Sequence, residues 1–120
     1  MQIKEKSNKM VIDFNNIPIE KIEKFKGGDG YVLNRQFIDD NNRICYSVLP
    51  PNCSSGYHKH ITNSEILIMI KGSAKFLCDN HEERANAGQV HYCPQGSSHC
   101  MVNDTSEDIE YITIVPEHNK

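Results

Sequence analysis

At 120 residues the chain is long enough for one domain with a real core and too short for two. Its formal charge of −3 is spread without a strong block, and Lys and Arg do not cluster, which argues against nucleic acid or an anionic membrane as a partner. No apolar run approaches a spanning helix, the N-terminal M-Q-I-K-E-K-S-N-K-M lacks a signal peptide's apolar centre, and the five cysteines form no C-x-x-C pair, so a reduced, cytoplasmic protein is expected.

Residues 1–30 read as an N-terminal arm with one apolar cluster, Met10 to Phe14, and a short helix started by Pro18 and running to about Phe25. Gly27, Gly28 and Gly30 around Asp29 read as a plain turn. A phosphate loop there would need a helix immediately after it, and the segment from Tyr31 is strand-like instead. From Tyr31 onward every segment is short and strand-like: Tyr31–Ile38, Arg43–Leu49, Ser73–Cys78, His81–Ala85, Gln89–Cys93, Ser98–Val102 and Ile109–Val115. Turn signals every eight to twelve residues make 31–116 a single all-β domain, a sandwich or barrel, with 117–120 as a tail.

One stretch carries chemistry. Gly56 to Gly72 reads G-Y-H-K-H-I-T-N-S-E-I-L-I-M-I-K-G. His58 and His60 are two apart, so on a strand both imidazoles project from one face. Ile61–Ser64 is polar enough to turn the chain, and Glu65 opens an apolar run, Ile66–Ile70, that reads as the returning strand of a hairpin. Two imidazoles and a carboxylate brought together by adjacent strands point to a metal site.

Gly88 to Asn103 reads G-Q-V-H-Y-C-P-Q-G-S-S-H-C-M-V-N, with Gly88, Pro94, Gly96, His99 and Asn103 spaced G-x5-P-x-G-x2-H-x3-N. Together with H-x-H-x4-E-x6-G before it, this resembles the two signature motifs of the cupin superfamily, in the manner of small single-domain bacterial cupins. Nine specified positions match, across a 15-residue gap from Ser73 to Ala87. One position departs: a single residue, Tyr57, separates Gly56 from His58, where the family usually leaves five between its glycine and its first histidine. The resemblance covers about residues 43–116. It implies a double-stranded β-helix (jelly-roll) barrel and, carried over position by position, the metal ligands His58, His60, Glu65 and His99.

Such a set leaves coordination positions open. Hard oxygen and borderline nitrogen donors favour Fe2+ or Mn2+, with Ni2+, Zn2+, Co2+ and Cu2+ also able to bind. A metal-free barrel is disfavoured, because four convergent ionisable groups in a core need compensation. Strand alternation adds Leu67, Met69 and Met101 as lining of a small, largely apolar pocket, with Cys100 and Val102 facing away. Tyr92 and Tyr111 are expected to face inward as core or as proton donor, and the parity around His91 leaves its direction open. His81 and Tyr57 are expected outside, His118 in the tail, and the cysteines as buried inert thiols. Arg43 either pairs with an anionic substrate or, as expected, lies at the surface. Ile66, Ile68 and Ile70 form a second apolar face that a homodimer partner or the arm must cover.

The superfamily hosts oxygenases, decarboxylases, isomerases, lyases and non-catalytic modules, so fold does not settle function. Oxalate decarboxylases of the family carry an arginine shortly before the first histidine, where this chain has Ser54, Ser55, Gly56 and Tyr57. The family's sulfoniopropionate lyases place a tyrosine beside the glutamate, where this chain has Ser64. The expectation is a metal-dependent enzyme acting on a small oxygen-rich molecule, oxidoreductase or dioxygenase-type ahead of decarboxylase or isomerase. The alternative is a non-catalytic module that binds metal and a small ligand.

Overall fold

The computed structural model describes residues 10–118. Ten strands are present among them: β1 (Glu20–Glu23), β2 (Tyr31–Ile38), β3 (Asn42–Leu49), β4 (His58–Lys59), β5 (Glu65–Lys71), β6 (Ser73–Cys78), β7 (His81–Asn86), β8 (Val90–Cys93), β9 (Ser98–Val102) and β10 (Ile109–Pro116). They form a six-stranded sheet ordered β1-β2-β3-β10-β5-β8 and a four-stranded sheet ordered β4-β9-β6-β7, with every pairing antiparallel. This is the expected all-β jelly roll. No helix of the described residues is long and apolar enough to cross a membrane.

The alternation along each strand explains the layering. On β3, Cys45, Ser47 and Leu49 turn inward, and on β10 Ile109, Tyr111 and Thr113 do the same, while the residues between them face out. Phe76 and Ala74 on β6 meet Met101 on β9, Leu67 and Met69 on β5 and Val32 on β2 in one core between the sheets. Asn103 is fully buried in the loop after β9. Its amide donates to the carbonyls of Leu49 and Glu107 (2.8 Å each), and its Oδ1 accepts from Thr105, so this motif position is a structural clamp.

Two expectations are corrected. The helix from Pro18 to Phe25 does not form: Glu20–Glu23 is a strand paired with β2, flanked by short 3-10 turns at Phe14–Asn16 and Phe25–Gly27. An available strand edge wins over a weak helical period. The hairpin joining His58 and His60 to Glu65 does not form either. β4 pairs with β9 in the four-stranded sheet, and β5 pairs with β10 and β8 in the six-stranded one.

The segment after β1 straps the metal motif. Gly56 N donates to Phe25 O (2.9 Å) and Ser54 N to Asp29 O (2.9 Å). The backbones meet so closely that a Cβ on Gly56 would stand 1.8 Å from Lys26 O, and one on Gly28 would stand 2.1 Å from Ser54 O. The displaced first glycine of the motif therefore serves close packing. The described part of the arm lies on the outer face near β2 and β3: Phe14 packs on Tyr46 (5.7 Å between rings), and Arg35 donates to Phe14 O and Ile17 O. Farther along that face Ile70, Val90 and Tyr92 are exposed beside half-buried Ile66, Ile68, Ile112 and Ile114.

Candidate metal centre

His58 on β4, His60 just after it, Glu65 at the start of β5 and His99 on β9 bring their ligand atoms to one point between the sheets. Backbone pairing sets this up. His58 is the register partner of His99, and the Pro94–Ser97 turn clasps His60 through Gly96 N to His60 O (2.7 Å) and His60 N to Ser97 O (3.0 Å). The two motifs are thus stitched together before any side chain is considered. The three rings sit 4.8–5.0 Å apart at mutual tilts of 65–71°, a near-threefold fan. Glu65 Oε1 lies 2.8 Å from His99 Nε2, 3.2 Å from His60 Nε2 and 3.8 Å from His58 Nε2, and the Nε2 atoms of His60 and His99 are 3.1 Å apart.

These spacings fit a cation. Donors at right angles on an ion about 2.1 Å away stand about 3.0 Å from each other. Neutral imidazole nitrogens facing one another across 3.1 Å in a buried site otherwise repel, so the donor set calls for a metal or protons. The outer nitrogens are already engaged. His58 Nδ1 donates to Gly56 O (2.7 Å) and His60 Nδ1 to Asn63 Oδ1 (2.6 Å), so a metal that displaced the protons between Nε2 and Glu65 would meet both Nε2 lone pairs. Burial pushes the Glu65 carboxyl up, but hydrogen bonds from His58, His60 and His99 outweigh it and hold the group well below the usual carboxylate range. Burial disfavours charge on His60 as well, yet its bonds to Glu65 and Asn63 win and raise its pKa.

Beside the site lies a cavity of about 30 Å³, lined by His58, Glu65, His99, Leu67, Met101, Tyr111, Asn34, Ser47, Thr113, Val32, Ser55, Phe25 and Arg43. The structure thus places Leu67, Met101 and Tyr111 on the cavity. Met69 is inward but lies in the core away from the cavity, one inward position farther along β5 from Glu65 than Leu67. Cys100 points off the cavity yet is still buried. Tyr92 is corrected: it is 58% exposed on the outer face, because β8 pairs Cys93 with Glu65 and so turns Cys93 and His91 inward. The buried state of a small thiol in Y-C-P was the available signal, for Tyr92 and Cys93 cannot share a face.

The expectation of a largely apolar pocket also changes. Asn34, Ser47 and Thr113 are buried polar residues on the inner face of the six-stranded sheet, and Ser47 Oγ donates to Asn34 Oδ1 (2.6 Å). Burial pushes the Tyr111 phenol well above the ordinary range, so it stays neutral. Arg43 is on the cavity, with its guanidinium over the Phe25 ring and Nε donating to Gln36 Oε1 (2.9 Å). Phe25, Arg43 and Glu65 also line a wider outer groove with Lys26, Lys59 and Asn63, which puts them on the wall between groove and cavity.

Sequence reasoning missed Asn63 and left His91 open. His91 is buried, stacked flat on Phe76 at 3.8 Å, with Nε2 2.9 Å from His99 Nδ1. Burial depresses its pKa. His81 and Tyr57 are exposed, as expected, and His118 reaches Ser64 Oγ at 2.9 Å. All five cysteines are free, and burial raises the thiol pKa of Cys45 to about 11 and of Cys93 to about 12, so neither presents a reactive thiolate.

Residues 45–115, more than half of the chain, match the Cupin_2 family model, described as a cupin domain. The oxalate-binding protein of Thermotoga maritima is 28% identical over 112 residues, covering 88% of this chain and 93% of that protein. A crystal structure from Thermotoga maritima, described as a predicted oxalate decarboxylase, superposes with a TM-score of 0.83 at 27% identity, covering 90% of this chain and 99% of the other. A cupin 2 conserved barrel domain protein from Salinispora arenicola shares the fold at 23% identity and a TM-score of 0.65, covering 94% of this chain and 91% of the other.

Proposed function

The chain belongs to the cupin domain family, and on that premise we propose that it holds a divalent metal at His58, His60, Glu65 and His99 and binds a small dicarboxylate of oxalate's kind there. The observation that carries this reading is Arg43 on the same small cavity as His58, Glu65 and His99, and on the same outer groove as His60. A divalent ion, Fe2+ or Mn2+ favoured by the donor set, supplies a Lewis-acid centre with positions open to ligand oxygens. Its charge exceeds that of the single Glu65 carboxylate, and Arg43 adds a second cation, so the cavity attracts an anion. Arg43 can donate two parallel hydrogen bonds to a carboxylate, while Ser47, Asn34 and Tyr111 offer neutral polar groups deeper in. A cavity of about 30 Å³ admits only a ligand of a few atoms. The naming of a relative as oxalate-binding supports the same class of ligand.

Catalytic turnover of the bound anion is the second reading, supported by the outer groove that lies against the cavity across Phe25 and Arg43. Apart from the donors His58, Glu65 and His99, the ionisable groups on the cavity are Arg43 and the neutral Tyr111, so no free carboxylate or imidazole stands ready as a base. That favours binding over acid–base chemistry. Exposed Ile70, Val90 and Tyr92 support a homodimer through the outer face of the six-stranded sheet, and the free thiols suit a reducing cytoplasm.

The test is calorimetric titration of oxalate into manganese-loaded and metal-free protein, with oxygen uptake and carbon dioxide release followed in parallel. Metal-dependent, near-stoichiometric binding without turnover supports the first reading. Product formation above the metal-free control puts the catalytic reading ahead. Absence of both, in protein shown to carry metal, discards oxalate as the ligand.

A further inference from the structure

The three candidate histidine ligands are oriented by unlike partners. Gly56 O and Asn63 Oδ1 can only accept, so they force a proton onto Nδ1 of His58 and His60 and leave Nε2 free. His99 faces another imidazole, His91, and the 2.9 Å contact between His99 Nδ1 and His91 Nε2 can run in either direction. If His99 donates, its Nε2 is available to a metal. If His91 donates, a neutral His99 carries its proton on Nε2, aimed at the centre of the site.

The next residue along resolves the choice. His91 Nδ1 lies 3.1 Å from Glu83 Oε1, and a carboxylate is an acceptor only. His91 therefore keeps its proton on Nδ1, presents a bare Nε2, and takes the proton of His99 Nδ1. Geometry supports this chain. His91 is clamped face to face with Phe76 (3.8 Å, 13° between planes) and nearly parallel to His99 (18°), so its ring cannot turn to offer a different edge. Glu83 comes from β7, at the edge of the four-stranded sheet, and His91 from β8, at the edge of the six-stranded one. Glu83 is half exposed and its other oxygen pairs with His81 Nε2 at 3.0 Å, so the chain begins in solvent and ends on a buried donor.

We propose that Glu83 and His91 are positioning residues that set the tautomer of His99 across two hydrogen bonds and so make its Nε2 a metal ligand. The proposal rests on the metal reading of the site. Outer partners of this kind change metal affinity by about 10–100-fold when removed.

The test separates orientation from packing. His91→Phe keeps the flat ring on Phe76 but has no acceptor, whereas His91→Gln loses the ring and keeps an amide oxygen that can accept from His99. Zinc dissociation constants by chelator competition should weaken about 10–100-fold in His91→Phe and Glu83→Ala, with His91→Gln closer to wild type. If His91 only packs, the order reverses, with Phe tolerated and Gln impaired, and the proposal falls. Nitrogen-15 NMR of the imidazoles reads the tautomer directly, with and without zinc. His91 is expected in its Nδ1–H form in the wild type, and a population of the Nε2–H form should appear in Glu83→Ala. An Nε2–H His91 in the wild type overturns the proposal. A wild type that binds no zinc yet shows the Nδ1–H form sinks the metal reading and leaves the tautomer chain standing.

Discussion

Glu65 Oε1 and His99 Nε2 lie 2.8 Å apart, although Glu65 opens a strand of the six-stranded sheet and His99 sits on a strand of the four-stranded one. The site is therefore a bridge between layers, and a metal held there would tie the two sheets together.

Glu65→Gln keeps the volume but removes the charge that three imidazoles surround. Metal affinity is expected to fall by more than the roughly 100-fold typical of outer partners, and the stabilisation by metal should vanish from thermal melts. Elemental analysis of protein purified from metal-supplemented culture checks it; full metal content in the variant would exclude Glu65 as a ligand.

Arg43→Gln should weaken oxalate binding while leaving metal content unchanged. A charge-assisted hydrogen bond is worth about 1.5–3 kcal/mol, or roughly 10–100-fold in affinity. Titration calorimetry on the metal-loaded variant measures this. Unaltered affinity would mean that the guanidinium, on the cavity wall beside Phe25, plays no part in holding the anion.

The metal-free protein should be most stable near pH 6.5. His60 has a raised folded pKa, so its contribution is complete below its ordinary value of 6.5 and is lost as pH rises through the folded value. His91 runs the other way: burial lowers its folded pKa, so stability drops as pH falls below 6.5. Glu65, held low by its histidine partners, adds stability above its ordinary 4.5 that is lost as pH falls through the lowered value. Melting temperatures with chelator should trace this dome. The increment added by zinc should grow from pH 6 to pH 8, because the metal competes with protons for the imidazoles.

Gly56→Ala would drive a methyl group into Lys26 O, 1.8 Å from the ideal Cβ position. The strap over the metal motif must lift, at a cost of about 1–3 kcal/mol. Urea unfolding should show a lower midpoint with an unchanged slope. A midpoint equal to wild type would mean that the strap yields freely.

Tyr92→Lys and Val90→Lys place charge on the exposed outer face beside half-buried Ile66 and Ile68. Light scattering should give a dimeric mass for the wild type and a monomeric mass for the double variant, with metal content unchanged. A monomeric wild type ends the dimer reading.

The four candidate donors and the all-β architecture were legible in the chain because their signals are local. Spacing of two between His58 and His60, alternation along each strand, and turn residues at short intervals all survive in one dimension. The route by which Glu65 reaches them was not legible. A hairpin and a crossing between sheets leave the same pattern, and only the pairing of β4 with β9 and of β5 with β10 separates them. The helix expected after Pro18 failed for a related reason, since β2 offered an unpaired edge that a local period cannot register.

Residue types and spacing alone thus determined which side chains could ligate a metal and which fold class would carry them, because donor chemistry and strand period belong to the chain itself. Tertiary structure decided which side chains face one another. Register against Glu65 turned His91 inward and Tyr92 outward, the pairing of β3 with β2 and β10 set Arg43 and Ser47 on the cavity, and the packing of the two sheets brought Glu83 from one sheet edge to His91 on the other. Cross-strand register is fixed by pairings between residues far apart in sequence, and a shift of one residue would exchange the two faces of a strand.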